Sequence, residues 1–499
     1  MKTKIFGLLI LMESLFMLLT CGVSYYYKIT EGDDDLTAFS ITTAVTFMAG
    51  FLLYMRGRRC PKTFFSRKDN FLMVSMVWIV FSFFGMFPFL IYGTVDNVAS
   101  AYFEAMSGFT TTGASVLNNI DEQPHGILFW RSLTQWLGGL GIVVFSFALI
   151  PVYELKNANM FSAEVTGLSL DKLRPKIGDT ARRLLSIYIL LTVVCFVAYW
   201  LGNMDVYDSV CYSMSTIATG GFGTHQASMA FFSSPYLEYV CSFFMIVSSI
   251  NFSLFYYFSI GRSNVFFKNE ELKWFLCIVG VMVLLFIGLF YNTSYGMSRA
   301  GGVEANYPSG MEEIFRTALF HVSTIISTSG FQASHYDYIA WGAPFWMPTL
   351  ILMIIGSCAG STSGGVKVIR ILVCIKDAIN EFKLQLHPRA VISVRLSGNV
   401  LPDNKVIRAL AFLFLYFMLV IIGVIFLTLT GLDMDTAFGS SITALSNVGP
   451  GMGTTGPSAN FAEVSYMGKW LLSFLMLVGR LEIFTVLFLF LPDFWKQKV

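Results

Sequence analysis

Long apolar stretches separated by short polar ones dominate this chain. Ile5 to Tyr27, Leu36 to Met55, Phe71 to Tyr92 and Leu184 to Leu201 each approach the roughly 20 apolar residues a helix needs to cross a bilayer. A buried helix of a soluble domain rarely stays apolar for so long, so the pattern predicts membrane-spanning helices. Between such runs recur four polar, glycine-containing segments: Ser107 to Gly113, Ser215 to Gly221, Thr324 to Gly330 and Thr443 to Gly449. Each carries Ser or Thr six positions before its final glycine and Thr or Asn two positions before it.

Those glycines recur at intervals of about 110 residues, and self-similarity at a fixed spacing decides architecture before any single residue does. Every segment follows an apolar run and a short amphipathic stretch, and precedes another long apolar run that ends in basic residues. In the first copy these are Phe71 to Tyr92, Asn97 to Phe109, the glycine loop, and Leu128 to Tyr153. The expected fold is an all-α polytopic membrane protein with four pseudo-symmetric helix, re-entrant pore helix, helix repeats around one central pore. The repeats cover 69–155, 178–263, 270–378 and 402–499, after a leading transmembrane pair in 1–60. Ten crossings and four re-entrant segments result. The break in repeat 3 described below is expected to be the sole break in an outer helix.

Charge orients this arrangement. Only 13% of the residues are charged, against about 25% in soluble domains. Arg56, Arg58, Arg59, Lys62, Arg67 and Lys68 crowd one loop, and Lys172, Arg174, Lys176, Arg182 and Arg183 another, while acids fill the alternate loops, as in Glu31 to Asp35. Basic loops stay inside, which puts both termini in the cytoplasm of a plasma (inner) membrane protein and dips the glycine loops in from outside. A net charge of +2 without a basic patch gives no sign of a nucleic-acid partner. The eight cysteines show no CxxC spacing and read as small hydrophobes. The first apolar run is longer than a signal-peptide core and lacks a small-residue cleavage motif, so it reads as a retained helix.

A bare cation enters a membrane only where oxygen dipoles replace its water, and non-helical backbone is the densest source of them. Glycine lets the chain turn and lets four loops approach one axis. Half-helices that run inward aim their partly negative C-termini at the ion. The candidate ring is therefore Thr111, Thr112 and Gly113; Thr219, Gly220 and Gly221; Thr328, Ser329 and Gly330; and Asn447, Val448 and Gly449. Its lack of carboxylates suits a large, weakly hydrated alkali cation, with K+ as the transported ion. The fourth copy, Asn-Val-Gly-Pro, departs most from the others.

A second feature interrupts the apolar run of about Phe345 to Ile375. Gly356, Gly360, Gly364 and Gly365 stand in a serine-rich stretch that ends at Lys367, a density of poor helix formers that should unwind the span. We expect a flexible gate below the ring. Close helix packing through small residues is the plainer alternative. A phosphate loop is not supported, because Val366 stands where its lysine belongs. Arg480 lies inside the last apolar run, Trp470 to Leu491, and should face the bundle interior, either on the gate's carbonyls and the ion path or paired with Glu482 or Glu104. His321 reads as a packing residue.

The segments Phe-Glu-Ala-Met-Ser-Gly-Phe-Thr-Thr-Thr-Gly-Ala (103–114), Ser-Thr-Ile-Ala-Thr-Gly-Gly-Phe (215–222) and Gly-Ser-Thr-Ser-Gly-Gly-Val-Lys (360–367) resemble the Trk/Ktr/HKT superfamily of potassium transporters, most nearly its bacterial TrkH/TrkG branch. The resemblance spans essentially the whole chain. It implies a potassium-conducting homodimer with one pore per protomer, and a cytoplasmic nucleotide-binding (RCK-type) regulatory subunit. Filter glycines would fall on Gly113, Gly221, Gly330 and Gly449, with the gate at 356–365 and Arg480. The basic loops between Lys156 and Arg183 and between Lys376 and Arg408 are the docking candidates. Coupled potassium/sodium or potassium/proton symport is the alternative. A membrane-embedded enzyme is more distant, since no cluster of catalytic carboxylates, histidines or metal ligands is evident.

Overall fold

A computed structural model describes residues 2–58, 67–139, 141, 177–300, 307–308, 310–333 and 337–496. The expected helix end at Tyr153, most of the basic loop from Lys156 to Arg183, and Arg59, Cys60 and Lys62 lie outside the described residues. Within them the chain is an all-α polytopic membrane protein; the one sheet among the described residues pairs Arg395–Leu396 with Asn399–Val400.

Among the described residues, six helices are long and apolar enough to cross a membrane: Lys2–Thr30, Leu36–Arg58, Phe71–Tyr92, Arg182–Leu201, Glu270–Thr293 and Asp403–Leu429. Large apolar side chains such as Leu18, Leu284, Phe414 and Ile421 cover their outer faces, which suits lipid as the solvent. Two bent pairs, Pro235–Ser248 with Phe252–Ser259 and Tyr466–Arg480 with Ile483–Phe490, raise the number of spans to 8. Of the other two expected spans, one begins as His125–Gly139 and leaves the described residues. The other is split into Ala343–Ile355 and Val368–Leu386.

The bends correct one expectation. Besides the break in repeat 3, the outer helix of repeat 2 turns by 87° and that of repeat 4 by 117°. In repeat 2 the helix stops at Ser248, and the Asn251 side chain accepts from Ser253 N at 2.9 Å to start a new one, as a polar cap should. In repeat 4 Glu482 adopts a left-handed φ of 57° two residues after Arg480. Arg480 therefore ends a helix instead of sitting in the middle of one.

Four short helices descend between the long ones: Val98–Phe109, Val206–Ala218, Met311–Ile326 and Met434–Ser446, of 12, 13, 16 and 13 residues. At about 1.5 Å per residue each reaches only partway across a membrane. Asn97, Asp205 and Asp433 cap three of them through side-chain oxygens. Nearly all of their inner residues are buried, many of them Ser or Thr, so the interior of this bundle is more polar than its rim.

Candidate functional site

All four short helices end in the same way. The residue two before the repeated glycine takes a left-handed conformation, with φ of 53° at Thr111, 55° at Thr219, 58° at Thr328 and 55° at Asn447. The next residue donates its N–H back to the carbonyl six before the glycine: Thr112 to Ser107 and Gly220 to Ser215 at 2.9 Å, Ser329 to Thr324 at 2.9 Å, and Val448 to Thr443 at 3.1 Å. This is a glycine-type helix cap built on Asn in one copy and, against its β-branched preference, on Thr in three. The glycine is left-handed again, at 80°, 81° and 77° in the first three copies and 109° in the fourth. Peptides that alternate in handedness in this way turn their polar groups to a common side.

The four segments then close on one another. A Cβ placed on Gly449 would stand 2.8 Å from the carbonyl oxygen of Thr112. On Gly113, Gly221 and Gly330 it would strike, closer still, the carbonyls of Gly220, Ser329 and Val448. Each glycine thus meets the carbonyl just before the next repeat's glycine, and the fourth meets the first. Thr112, Gly220, Ser329 and Val448 consequently form a cycle of carbonyls, and the four glycines line one vestibule together with Ala114, Arg131, His225 and Pro450. Around the cycle, Ser107, Thr111, Ser215 and Thr443 hydroxyls and Asn447 Oδ1 are buried without a hydrogen-bond partner, whereas buried polar atoms are ordinarily paired.

Residues 356–367 lie under this cycle on the side away from the vestibule. Thr362 Oγ1 donates to Ile217 O at 3.1 Å and Ser248 O at 3.3 Å; Ser357 Oγ donates to Ile326 O at 3.1 Å; Gly364 N donates to Thr328 Oγ1 at 2.8 Å. Gly364 also packs so tightly under Ser446 that a Cβ there would collide with its carbonyl. Gly356, Gly360, Gly365 and Lys367 all have positive φ, which explains the glycine density. The breaks in repeats 2 and 3 meet here, since Cys358 N donates to Ser249 O at 3.2 Å and Phe252 N to Gly360 O at 3.1 Å. Arg480 donates to Thr362 O, Gly138 O and, at 2.9 Å, Gly139 O, joining repeat 4 to the loop and to repeat 1. Lys367 Nζ donates to Ser363 O at 2.7 Å within the loop.

The two carboxylates considered for Arg480 have other cations at hand: Glu104 lies 2.9 Å from Arg131, and Glu482 contacts Arg370. His321 is buried among Phe286, Tyr338 and Trp341, with Nε2 2.9 Å from Thr349 Oγ1.

The chain is matched along residues 36–497 by the model of the TrkH family, described as cation transport protein. This chain belongs to the Trk family of potassium transporters. It is 36% identical over 502 residues to the Trk system potassium uptake protein TrkH of Salmonella typhimurium, with 99% of each chain covered. It is 31% identical to TrkG of Escherichia coli, covering 99% of this chain and 98% of that one. The crystal structure of the potassium transporter TrkH from Vibrio parahaemolyticus superimposes with a TM-score of 0.84 at 34% identity, covering 99% of both chains.

Sequence reasoning overlooked two residues of this Trk-family site and one buried carboxyl outside it. Arg131 and Gln135 stand four apart in the apolar run after the first glycine loop, both buried. Arg131 bridges Glu104, Gly223 O and Ser115 Oγ and lies 4.1 Å over the Phe222 ring. Polar residues one helical turn apart in a membrane span were the available signal. Glu13, in the first helix, is 1% exposed, and neither carboxylate oxygen has a hydrogen-bond partner.

Proposed function

We propose that the chain takes up potassium across the plasma membrane through a gated pore, with the carbonyl cycle as its selectivity filter and residues 356–367 as its gate. The observation that carries this reading is the closed cycle of Thr112, Gly220, Ser329 and Val448 carbonyls, each seated against a glycine of the neighbouring repeat. Four helix C-termini face it, and their partial negative charge favours a cation. The orphaned hydroxyls and the Asn447 oxygen offer further neutral ligands to K+, and the curated relatives are named as potassium uptake proteins.

The loop occludes the inner side while Arg480 holds it, so gating requires that Arg480 and the Thr362 contacts release. The same family membership supports a homodimer with one pore per protomer and a cytoplasmic nucleotide-binding subunit. That subunit docks on the basic segment between Lys376 and Arg408. There Lys376 meets Glu270, and Glu271, next in the chain, accepts from Ala359 N of the gate loop at 2.6 Å.

The test is ion flux into proteoliposomes, comparing K+, Rb+, Na+ and Cl−, with Gly113→Val as control. Cation flux that prefers K+ and collapses in the variant is expected. Flux of K+ that persists in Gly113→Val would falsify the filter. A form with the gate loop shortened should conduct without partner.

Proton-coupled symport is a second reading, favoured by Glu13, because a carboxyl buried in a span without partners is a functional site by default. Potassium uptake that carries protons in the parent protein and none in Glu13→Gln would establish it; absence of proton movement in the parent removes it.

A further inference from the structure

Gln135 is completely buried on His125–Gly139, the outer helix of repeat 1, yet its amide serves repeat 2. Nε2 donates to the carbonyl of Gly220 at 2.7 Å, and Oε1 accepts from Phe222 N at 3.1 Å. A backbone acceptor on one side and a backbone donor on the other fix which end of the amide is which. One side chain therefore grips the ring segment on both sides of Gly221. Space for it exists because Gly220 lacks a Cβ; one placed there would overlap the Gln135 amide. In repeats 1 and 3 the same ring position is Thr112 and Ser329, and each is braced by a hydroxyl of its own segment, Thr110 and Ser327, at 2.8 Å. Repeat 2 offers Ala218 and Gly220 instead and has no hydroxyl at either place.

We infer that Gln135 is a positioning residue that sets the preference of the ring for a large over a small cation. The inference rests on the carbonyl cycle being the ion path. A ring discriminates against a small ion when its oxygens are held from closing around it, or when their field is too weak to repay the small ion's dehydration. Gln135 supplies both effects at one oxygen. Its hydrogen bond holds the Gly220 carbonyl outward and occupies one of its two lone pairs, so this oxygen neither follows a small ion inward nor donates to it at full strength. No other atom of repeat 2 replaces that hold.

The decisive variant is Gln135→Met, which keeps length and apolar packing but removes donor and acceptor. In proteoliposomes its K+/Na+ permeability ratio should fall about fivefold, the worth of one neutral hydrogen bond, through a rise in Na+ flux. Gly220→Ala in the otherwise parent chain, which pushes the amide aside from the opposite direction, should lower the ratio as well and serves if Gln135→Met does not yield folded protein. An unchanged ratio in Gln135→Met, or in Gly220→Ala where that variant stands in, overturns the inference. Gly113→Val measured alongside separates the two failures: persistent flux there sinks the filter, whereas collapsed flux there with an unmoved ratio here sinks only the role of Gln135.

Discussion

Repeats 1 and 3 brace their ring segments from within, through the Thr110–Thr112 and Ser327–Ser329 hydroxyl pairs, while repeats 2 and 4 rely on amides that cross between repeats. Gln135 reaches from repeat 1 to Gly220, and Asn447 Nδ2 reaches from repeat 4 to Thr112 Oγ1 at 2.9 Å and Met476 O at 3.0 Å. Ser446, which holds the position of Thr110 and Ser327, is instead 2.6 Å from the Tyr416 hydroxyl. Backbone symmetry is thus kept closely and side-chain symmetry only in alternate copies. Four copies in one chain can diverge as four identical subunits cannot, and here the divergence makes neighbouring repeats depend on each other.

Changes to the backbone ring should break all copies, but unequally. Gly221→Ala forces a Cβ toward the Ser329 carbonyl at a φ of 81°. Overpacking costs about 1–3 kcal/mol and a left-handed non-glycine about 1–2 kcal/mol. Since about 1.4 kcal/mol is tenfold, potassium flux should drop roughly a hundredfold. Gly449→Ala, with 2.8 Å to the Thr112 carbonyl, should retain the largest share of flux among the four glycine variants. Equal losses in Gly221→Ala and Gly449→Ala would mean that the fourth copy is no looser than the second.

Arg480→Ala should move flux in the other direction. It removes charged hydrogen bonds to Thr362, Gly138 and Gly139 carbonyls, each worth about 1.5–3 kcal/mol, and so frees the loop from repeats 1 and 4 together. Partner-free K+ leak should rise about tenfold or more; leak at the parent level would show that the loop is held by its contacts to repeats 2 and 3 alone.

Much of this arrangement is legible in the sequence because a membrane imposes strong rules. Apolar run length and basic loops announce the spans, and the repeated glycines announce the left-handed turns at the ring, whereas the left-handed conformation of Thr111, Thr219 and Thr328 runs against local preference. The pairing of Gln135 with Gly220 was not legible, because a glutamine in an apolar run does not name its partner a quarter of a turn around the axis. The helix breaks at Ser249 and Glu482 were missed for a related reason. No Gly or Pro marks the first, and the lone Gly479 beside the second is too little to announce a bend; tertiary contacts, such as Cys358 N on Ser249 O, sustain what local propensity does not contain. Glu13 hid inside a run that only its average made apolar.

The amide braces should outweigh the hydroxyl braces. Asn447→Gly tolerates the left-handed φ of 55° and deletes the strut to Thr112 and Met476 together with the unpaired Oδ1, so the K+/Na+ ratio should fall by at least about fivefold, the value of about one hydrogen bond. Ser327→Ala leaves Ser329 on its own segment and should shift the ratio less. A larger change in Ser327→Ala would reverse the ranking of the two kinds of brace.

The smallest effect is expected at the outer mouth, where repeats 1 and 2 meet through His225. Its Nδ1 lies 2.8 Å from Asp121 and its Nε2 3.3 Å from Asp208, and its ring stacks on Phe231 at 3.5 Å. Both nitrogens face acceptors, so only the imidazolium satisfies both. Burial alone would lower this group, yet the hydrogen bonds and charges of Asp208 and Asp121 outweigh it and raise His225 above its ordinary value. A raised value means that the stabilisation is complete below the unfolded value of about 6.5 and is lost as pH climbs through the folded one. Thermal stability of the purified protein should therefore decline as pH rises above about 6.5 and through the raised folded value by the worth of a partly exposed ion pair, about 0–1 kcal/mol. His225→Gln, which can bond one carboxylate at any pH, should flatten that decline. A decline of the same size in His225→Gln would assign it elsewhere and leave the contact between repeats 1 and 2 to Arg131 and Gln135.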